Sequence, residues 1–222
     1  MDLWSTREAA RKELSGAIAE EAALLSDTFA LIDEIVQLFD SQSDENAFAR
    51  VCSLSLAKAR NFAVGCYSLV LDGLAQEAGA LMRPLLEAHE LLVYFRLDAS
   101  RAQEALECRL PSAGVIAKRI EGKFKDFREH LSTHASHFSF TDYSLRHIFD
   151  RTESRIKVVQ PMVPAVLRRN VRDLWLNMML LLVDAFECLA TDETFESRLP
   201  GIAERAEEIR QRGLSVFELE EG

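Results

Sequence analysis

The sequence predicts an all-α protein: one domain, a bundle of four or five long helices with short additional helices. Three observations carry this. Apolar residues recur at spacings of three and four through most of the chain, the signature of helices with one buried face. No stretch alternates with period two for long enough to build a sheet. Glycine (9) and proline (5) are scarce among 222 residues, which disfavours a β-rich or disordered chain. With 48% hydrophobic residues the chain can bury a sizeable core. The bundle is expected over residues 1–213, with 214–222 as a C-terminal tail.

The first helix is expected to start at the capping box Ser5-Thr6-Arg7-Glu8 and to run to about Phe39. Ile18, Leu25, Phe29, Ile32, Val36 and Phe39 form one stripe; Leu24, Leu31, Ile35 and Leu38 lie beside it, so the helix meets more than one neighbour. The polar run 40–45 breaks it, and Ser43 is the expected next cap. The second helix carries Phe48, Cys52, Ser55, Ala59, Phe62, Cys66 and Leu69, a seam of alternating large and small residues suited to close packing. Gly73 marks a turn, with Asp72 placed to cap the next helix.

The third helix is expected at about 74–97 and contains the stretch around which the chain is organised, LMRPLLEAHELLVYFR (81–96). Pro84 lacks an N–H, so the carbonyl of Ala80 loses its donor and a kink is expected there. Ser100 with Gln103 is another capping box; Pro111 ends one helix and opens the next. Residues 112–132 read as helical despite Gly114 and Gly122, 135–143 as loop, and 144–158 as a short basic helix. Pro161 and Pro164 precede the last long helix, 166–190; Pro200 and Gly201 precede a short charged one. In the tail, Val216, Phe217 and Leu219 are placed to dock on the body or on a partner.

The net charge is −10, which argues against a broad surface for coating nucleic acid. Residues 118–172 depart from it, with 12 Lys and Arg against 6 Asp and Glu. That segment either serves a local anionic ligand or pairs with the acidic termini. The four cysteines are widely spaced with no CxxC, which reads as reduced core residues of a cytoplasmic protein. No signal peptide is visible, and the most apolar run, 174–190, is too short and too interrupted by Asn177, Asp184 and Glu187 to span a membrane.

Two clusters are candidates for chemistry. Arg83 and Glu87 share a helix face inside the apolar stretch, either as a buried pair that sets helix register or as a held guanidinium for a phosphate or carboxylate. His89 completes an R-x5-H and is either a hydrogen-bonded core residue or a general acid or base. In FREHLSTHASH (127–137), His130, His134 and His137 share a face if the helix persists, with Glu129 and Ser132 among them; Arg128 and His134 make a second R-x5-H. The cluster reads as a solvated helix end, as a partner of Arg83–Glu87, or as the site of a metal- or small-molecule-binding bundle, although no Glu-x-x-His pair supports a metal. No GxGxxG, P-loop, GxSxG or HExxH occurs, so no cofactor is implied.

The stretch from about Ala57 to Phe140 resembles uncharacterised bacterial helical proteins allied to the HEPN superfamily. The likeness lies in SLVLDGLAQEAGALMRPLLEAHELL, in Arg83 and Glu87 four apart, and in Phe127, Leu131 and Ser132 followed by His134 or His137. The family pattern has His four after the Ser; here that position is Ser136, with His137 next. The resemblance implies a HEPN-like bundle, often dimeric. It implies either a binding module of a bacterial stress or defence system, with an operon partner protein, or a metal-independent ribonuclease. In the ribonuclease reading Arg83 stabilises charge on the RNA phosphate, Glu87 orients Arg83, and His89, His134 or His137 moves the proton beside Ser132.

Overall fold

The computed structural model describes residues 2–122, 124–136, 140, 145, 148–157 and 161–218, the side chains of Leu3 and Ser136 excepted. It is all-α, with nine α-helices among the described residues: α1 (Leu3–Leu14), α2 (Ala19–Asp40), α3 (Ala47–Leu71), α4 (Ala75–Leu97), α5 (Arg101–Leu106), α6 (Ala113–Arg119), α7 (Lys125–Leu131), α8 (Pro164–Leu189) and α9 (Leu199–Val216). A π turn, Ser132–Ser136, continues α7. Two-residue strands β1 (Phe149–Asp150) and β2 (Arg155–Ile156) pair antiparallel, Phe149 opposite Ile156.

The expected first helix is two. Asp2, not Ser5, caps α1, accepting from the Ser5 N–H at 2.8 Å, and the chain turns at 15–18 around Gly16 before α2 begins. Arg7 pairs with Asp72 and so ties α1 to the end of α3. Asp72 is thereby taken from the capping role expected of it, and Leu74 starts α4 with no side-chain cap. Asn46, not Ser43, caps α3, accepting from the N–H groups of Phe48 and Ala49. Helix α4 runs through Pro84 without ending. Residues 112–132 divide into α6 and α7 at Glu121 (φ 52°) and Gly122. Within 144–158, where a basic helix was expected, the described residues hold the β1–β2 hairpin. Pro164 takes the first turn of α8, where its missing N–H costs nothing. Helix α9 runs past 213 to Val216, and the buried Phe217 packs on Trp175 with ring centroids 5.2 Å apart; Leu219 lies outside the described residues.

Helices α2, α3, α4 and α8 enclose the core, and α9 lies against α2 and α8. The connections α2–α3 and α3–α4 are short, so those neighbours are antiparallel. Helix α8 runs parallel to α2: Arg168 pairs with Glu21 near both starts, and Asn46 reaches Asp192 just beyond both ends. It also runs parallel to α4, with His89 against Asp184 and Arg96 against Glu187. Helix α9 returns antiparallel, through Arg205–Glu34 and Arg212–Asp27. The core is filled by Leu24, Ile32, Ile35, Phe39, Leu56, Leu92, Leu174 and Trp175, each sealed from solvent. Burying one such leucine contributes roughly 1.5–3 kcal/mol.

Because α4 and α8 are parallel, the chain between them must travel back along the bundle. It descends the outer side of α4 in steps: α5 near Tyr94, α6 and Gly122 near Tyr94 and Glu90, α7 at Glu90, and the π turn at Gly79 and Gln76. Helix α4 is thus enclosed by α3, α8 and this crossover.

Candidate functional site

Helical spacing sorts the polar residues of α4 onto different faces. Residues 76, 79, 83, 87 and 90, three or four apart, form one face; residues 85, 89, 92 and 96 form another. The first meets the crossover and the second meets α8. Arg83 and His89, six apart, differ by about 120° around the axis at 100° per residue. The R-x5-H therefore does not converge.

Arg83 Nε donates to Glu87 Oε1 at 3.1 Å, and both side chains are about one-third exposed. The expectation of a pair in an apolar stretch holds, but its partner is internal to α4. His89 is sealed: Nδ1 meets Asp184, Phe124 lies over the ring with centroids 5.8 Å apart, and the buried Nε2 has no hydrogen-bond partner. A general acid or base must reach its substrate, and His89 has no such path here.

Glu90 is the residue of α4 that receives a basic partner from the crossover. It is buried, and Arg128 Nη1 donates to its Oε2 at 2.6 Å. Burial pushes the Glu90 carboxyl up, Arg128 pulls it back, and Glu87 adds a further push up. One turn further along α4, Arg119 Nη1 donates to the buried Tyr94 hydroxyl at 2.8 Å, and Arg101 lies over the Tyr94 ring at 4.2 Å. Arg128 therefore serves Glu90 rather than a second R-x5-H with His134. A carboxylate inside an apolar run signals the need for such a partner, and Arg128, within the basic segment 118–172, supplies it.

The histidines separate in the same way. His130 and His134 are adjacent, with ring centroids 4.7 Å apart, and both line an open cleft of about 520 Å³. Ser132 is half-buried at the end of α7, where its N–H donates to the carbonyls of Arg128 and Glu129. His137 lies outside the described residues. The cleft also draws on Gln76, Lys157, Arg169 and Asn170, while Arg83, Glu87 and His89 do not line it. The Arg–Glu pair and the histidine cluster are thus not brought into one site. Among the described residues, no three His, Cys, Asp or Glu side chains converge as a metal ion would need.

All four cysteines are free thiols; Cys52, Cys66 and Cys188 are buried, and Cys108 is exposed. Burial pushes the Cys66 thiol up to about 12; Cys52 is raised by its hydrogen bond with Cys188 and then by burial. Neither Cys52 nor Cys66 is an activated nucleophile. Among the described residues no helix is long and apolar enough to cross a membrane.

The fold and these contacts define an all-α bundle with a long crossover. No family model matches the chain, and no curated protein or solved structure does either.

Proposed function

We propose that the chain is a helical interaction module that works as a homodimer, a HEPN-like bundle of a bacterial stress or defence system. The observation that carries this is the outer face of α8. Leu176, Leu180 and Val183 follow one another at helical spacing and are 37%, 42% and 50% exposed. Apolar side chains grouped on one exposed helix face mark an interaction surface.

The charges along α8 favour a second copy as the occupant. Arg168, Arg169 and Arg172 lie in its first half, and Asp184 and Glu187 in its second; Asp173 alone departs from this order, and Arg168, Arg172, Asp184 and Glu187 also hold partners within the chain. An antiparallel copy sets the basic half of one helix beside the acidic half of the other, the self-complementary arrangement of a two-fold dimer. The free thiols agree with a cytoplasmic setting. An operon partner protein is a further candidate for the same face. Sedimentation is expected to give a dimer for the parent chain and a monomer for Leu180→Glu; a parent that is monomeric at high concentration ends this reading.

A second reading, a metal-independent ribonuclease, is favoured by one observation, the close pair of imidazoles of His130 and His134 beside Lys157 and Arg169. Here the RNA phosphate or another anionic group is the ligand and the 2′-hydroxyl the nucleophile. Mixed RNA incubated with protein in EDTA is the test, with Arg83→Ala, His89→Ala and His134→Ala alongside. Cleavage lost in His134→Ala and kept in His89→Ala supports the reading with the accessible histidine; absence of cleavage, or cleavage unchanged in every variant, removes it.

A further inference from the structure

The cleft is a consequence of the topology. Parallel α4 and α8 begin at the same end of the bundle, and the crossover must return to that end to start α8. Its last leg, α7 with the π turn, together with Lys157 and residues 161–163, walls the space between the two helix starts. The side chain of Gln76 donates to the His134 carbonyl at 2.6 Å and braces the π turn against α4. Gly79 lets that turn approach, since a Cβ there would meet the Ala135 methyl at 3.3 Å.

The lining has two characters. His130, His134, Lys157 and Arg169, from three separate segments, supply basic groups, and Gln76 and Asn170 supply amides. Among the described lining residues none is a carboxylate, although the chain as a whole carries 36 acidic residues. The first turn of α8, with neither a side-chain cap nor an acidic residue, adds to the positive field, whereas that of α4 carries Glu77. An apolar floor, which includes Leu131, Met162, Val166 and Leu167, makes up most of the rest of the lining. No Phe, Tyr or Trp is among the described lining residues, so the imidazoles of His130 and His134 are the rings it offers a nucleobase. The volume of about 520 Å³ falls within the roughly 300–1,000 Å³ of small-molecule clefts. By contrast, the hollow of about 600 Å³ along α1 is lined by α1 and its C-cap alone.

We infer that this cleft binds a small aliphatic anion, a carboxylate or phosphate monoester whose head meets Lys157, Arg169 and the two histidines and whose chain lies on the floor. The head group is held by charge and hydrogen bonds, and the chain by removal of apolar surface from water. The site lies within one chain and does not depend on dimerisation through α8.

Calorimetric titration of the full chain with octanoate, octyl phosphate, inorganic phosphate and a short RNA oligomer tests this. Octanoate or octyl phosphate is expected to bind at least about tenfold more tightly than inorganic phosphate, a gap the apolar floor supplies. Arg169→Ala and Lys157→Ala, both near the surface, are expected to weaken that binding about tenfold each while the thermal transition stays in place. Val166→Asn is expected to narrow the gap between octyl phosphate and inorganic phosphate. Leu180→Glu, which addresses dimerisation alone, is expected to bind as the parent does. Equal affinity for inorganic and octyl phosphate overturns the aliphatic assignment. Binding of RNA with no binding of either aliphatic anion overturns it in favour of a polymer. No binding by any probe, or binding lost in Leu180→Glu, overturns the single-chain site.

Discussion

On the side of α4 that faces α8, the sealed apolar side chains Leu85, Leu92 and Phe95 are joined by two charged contacts, His89 with Asp184 and Arg96 with Glu187. On the side that faces the crossover, the attachment runs through polar clamps: Arg101 and Arg119 on Tyr94, Arg128 on Glu90, and Gln76 on the His134 carbonyl. Leu92, at the centre of the α8 flank, is held by apolar burial, whereas the clamps on the crossover flank rest on cations. Apolar burial is insensitive to pH and salt, whereas ion pairs respond to both. The crossover carries both histidines of the cleft, so the part of the molecule nearest the candidate ligand is the part whose attachment depends on charge.

The largest effect is expected where the apolar flank is broken. Leu92 is fully buried between α4 and α8, so Leu92→Ala removes buried methyl groups and leaves a cavity, at a cost of about 2–5 kcal/mol. Denaturant unfolding of the whole bundle reads this, and the loss is expected to be the same in low and high salt. A loss below about 1 kcal/mol means that the seam is looser than its burial implies.

A clamp broken from one side is expected to cost nearly as much, with a different dependence on conditions. Arg128→Ala leaves the Glu90 carboxylate buried without its cation, at about 3 kcal/mol. The sign of the pH dependence is set by Glu90 itself. Burial raises its carboxyl above the unfolded value, so the folded chain holds that proton more tightly than the unfolded chain. The group's contribution is fully present below the usual carboxylate range and declines as pH rises through it towards the raised folded value. Glu90→Gln keeps an acceptor for Arg128 and removes the titration. Its stability relative to the parent is expected to rise with pH across that window and to level off above the raised folded value. A parent and a Glu90→Gln variant with parallel pH profiles contradict this account.

The two flanks also differ in how far the residues foretell them. Helices α3, α4 and α8 are legible from periodic apolar residues, because a buried helix face leaves its spacing in the chain. The break between α1 and α2 at Gly16 does not stand out, since the stripe from Ile18 onwards continues a helical rhythm already begun. The division of α6 from α7 at Glu121 and Gly122 is local backbone geometry within a segment of helical composition. What the residues leave open is the path of the crossover, and with it every partnership across it. Arg83 with Glu87 is legible because both lie on one helix; Glu90 with Arg128 is not, because their meeting depends on where α7 lands. The cleft depends on α4 and α8 being parallel, a relation set by long-range packing rather than by any motif.

The smallest effect is expected at the residue pair the sequence most favours for function. Arg83 and Glu87 form a partly exposed i, i+4 pair within one helix, a class that contributes about 0.3–0.5 kcal/mol. Arg83→Ala is therefore expected to leave unfolding within about 0.5 kcal/mol of the parent. That near-neutrality is useful, because it separates the roles left open for this arginine. If Arg83→Ala unfolds with the parent but loses RNA cleavage or anion binding, the guanidinium acts on a ligand, although it lies outside the lining of the cleft. If it destabilises by several kcal/mol, the pair is part of the clamp that holds the crossover, and the division between the two flanks of α4 must be redrawn to include it. If neither changes, the pair is a solvated feature of the helix surface, and the function rests with the cleft and the outer face of α8.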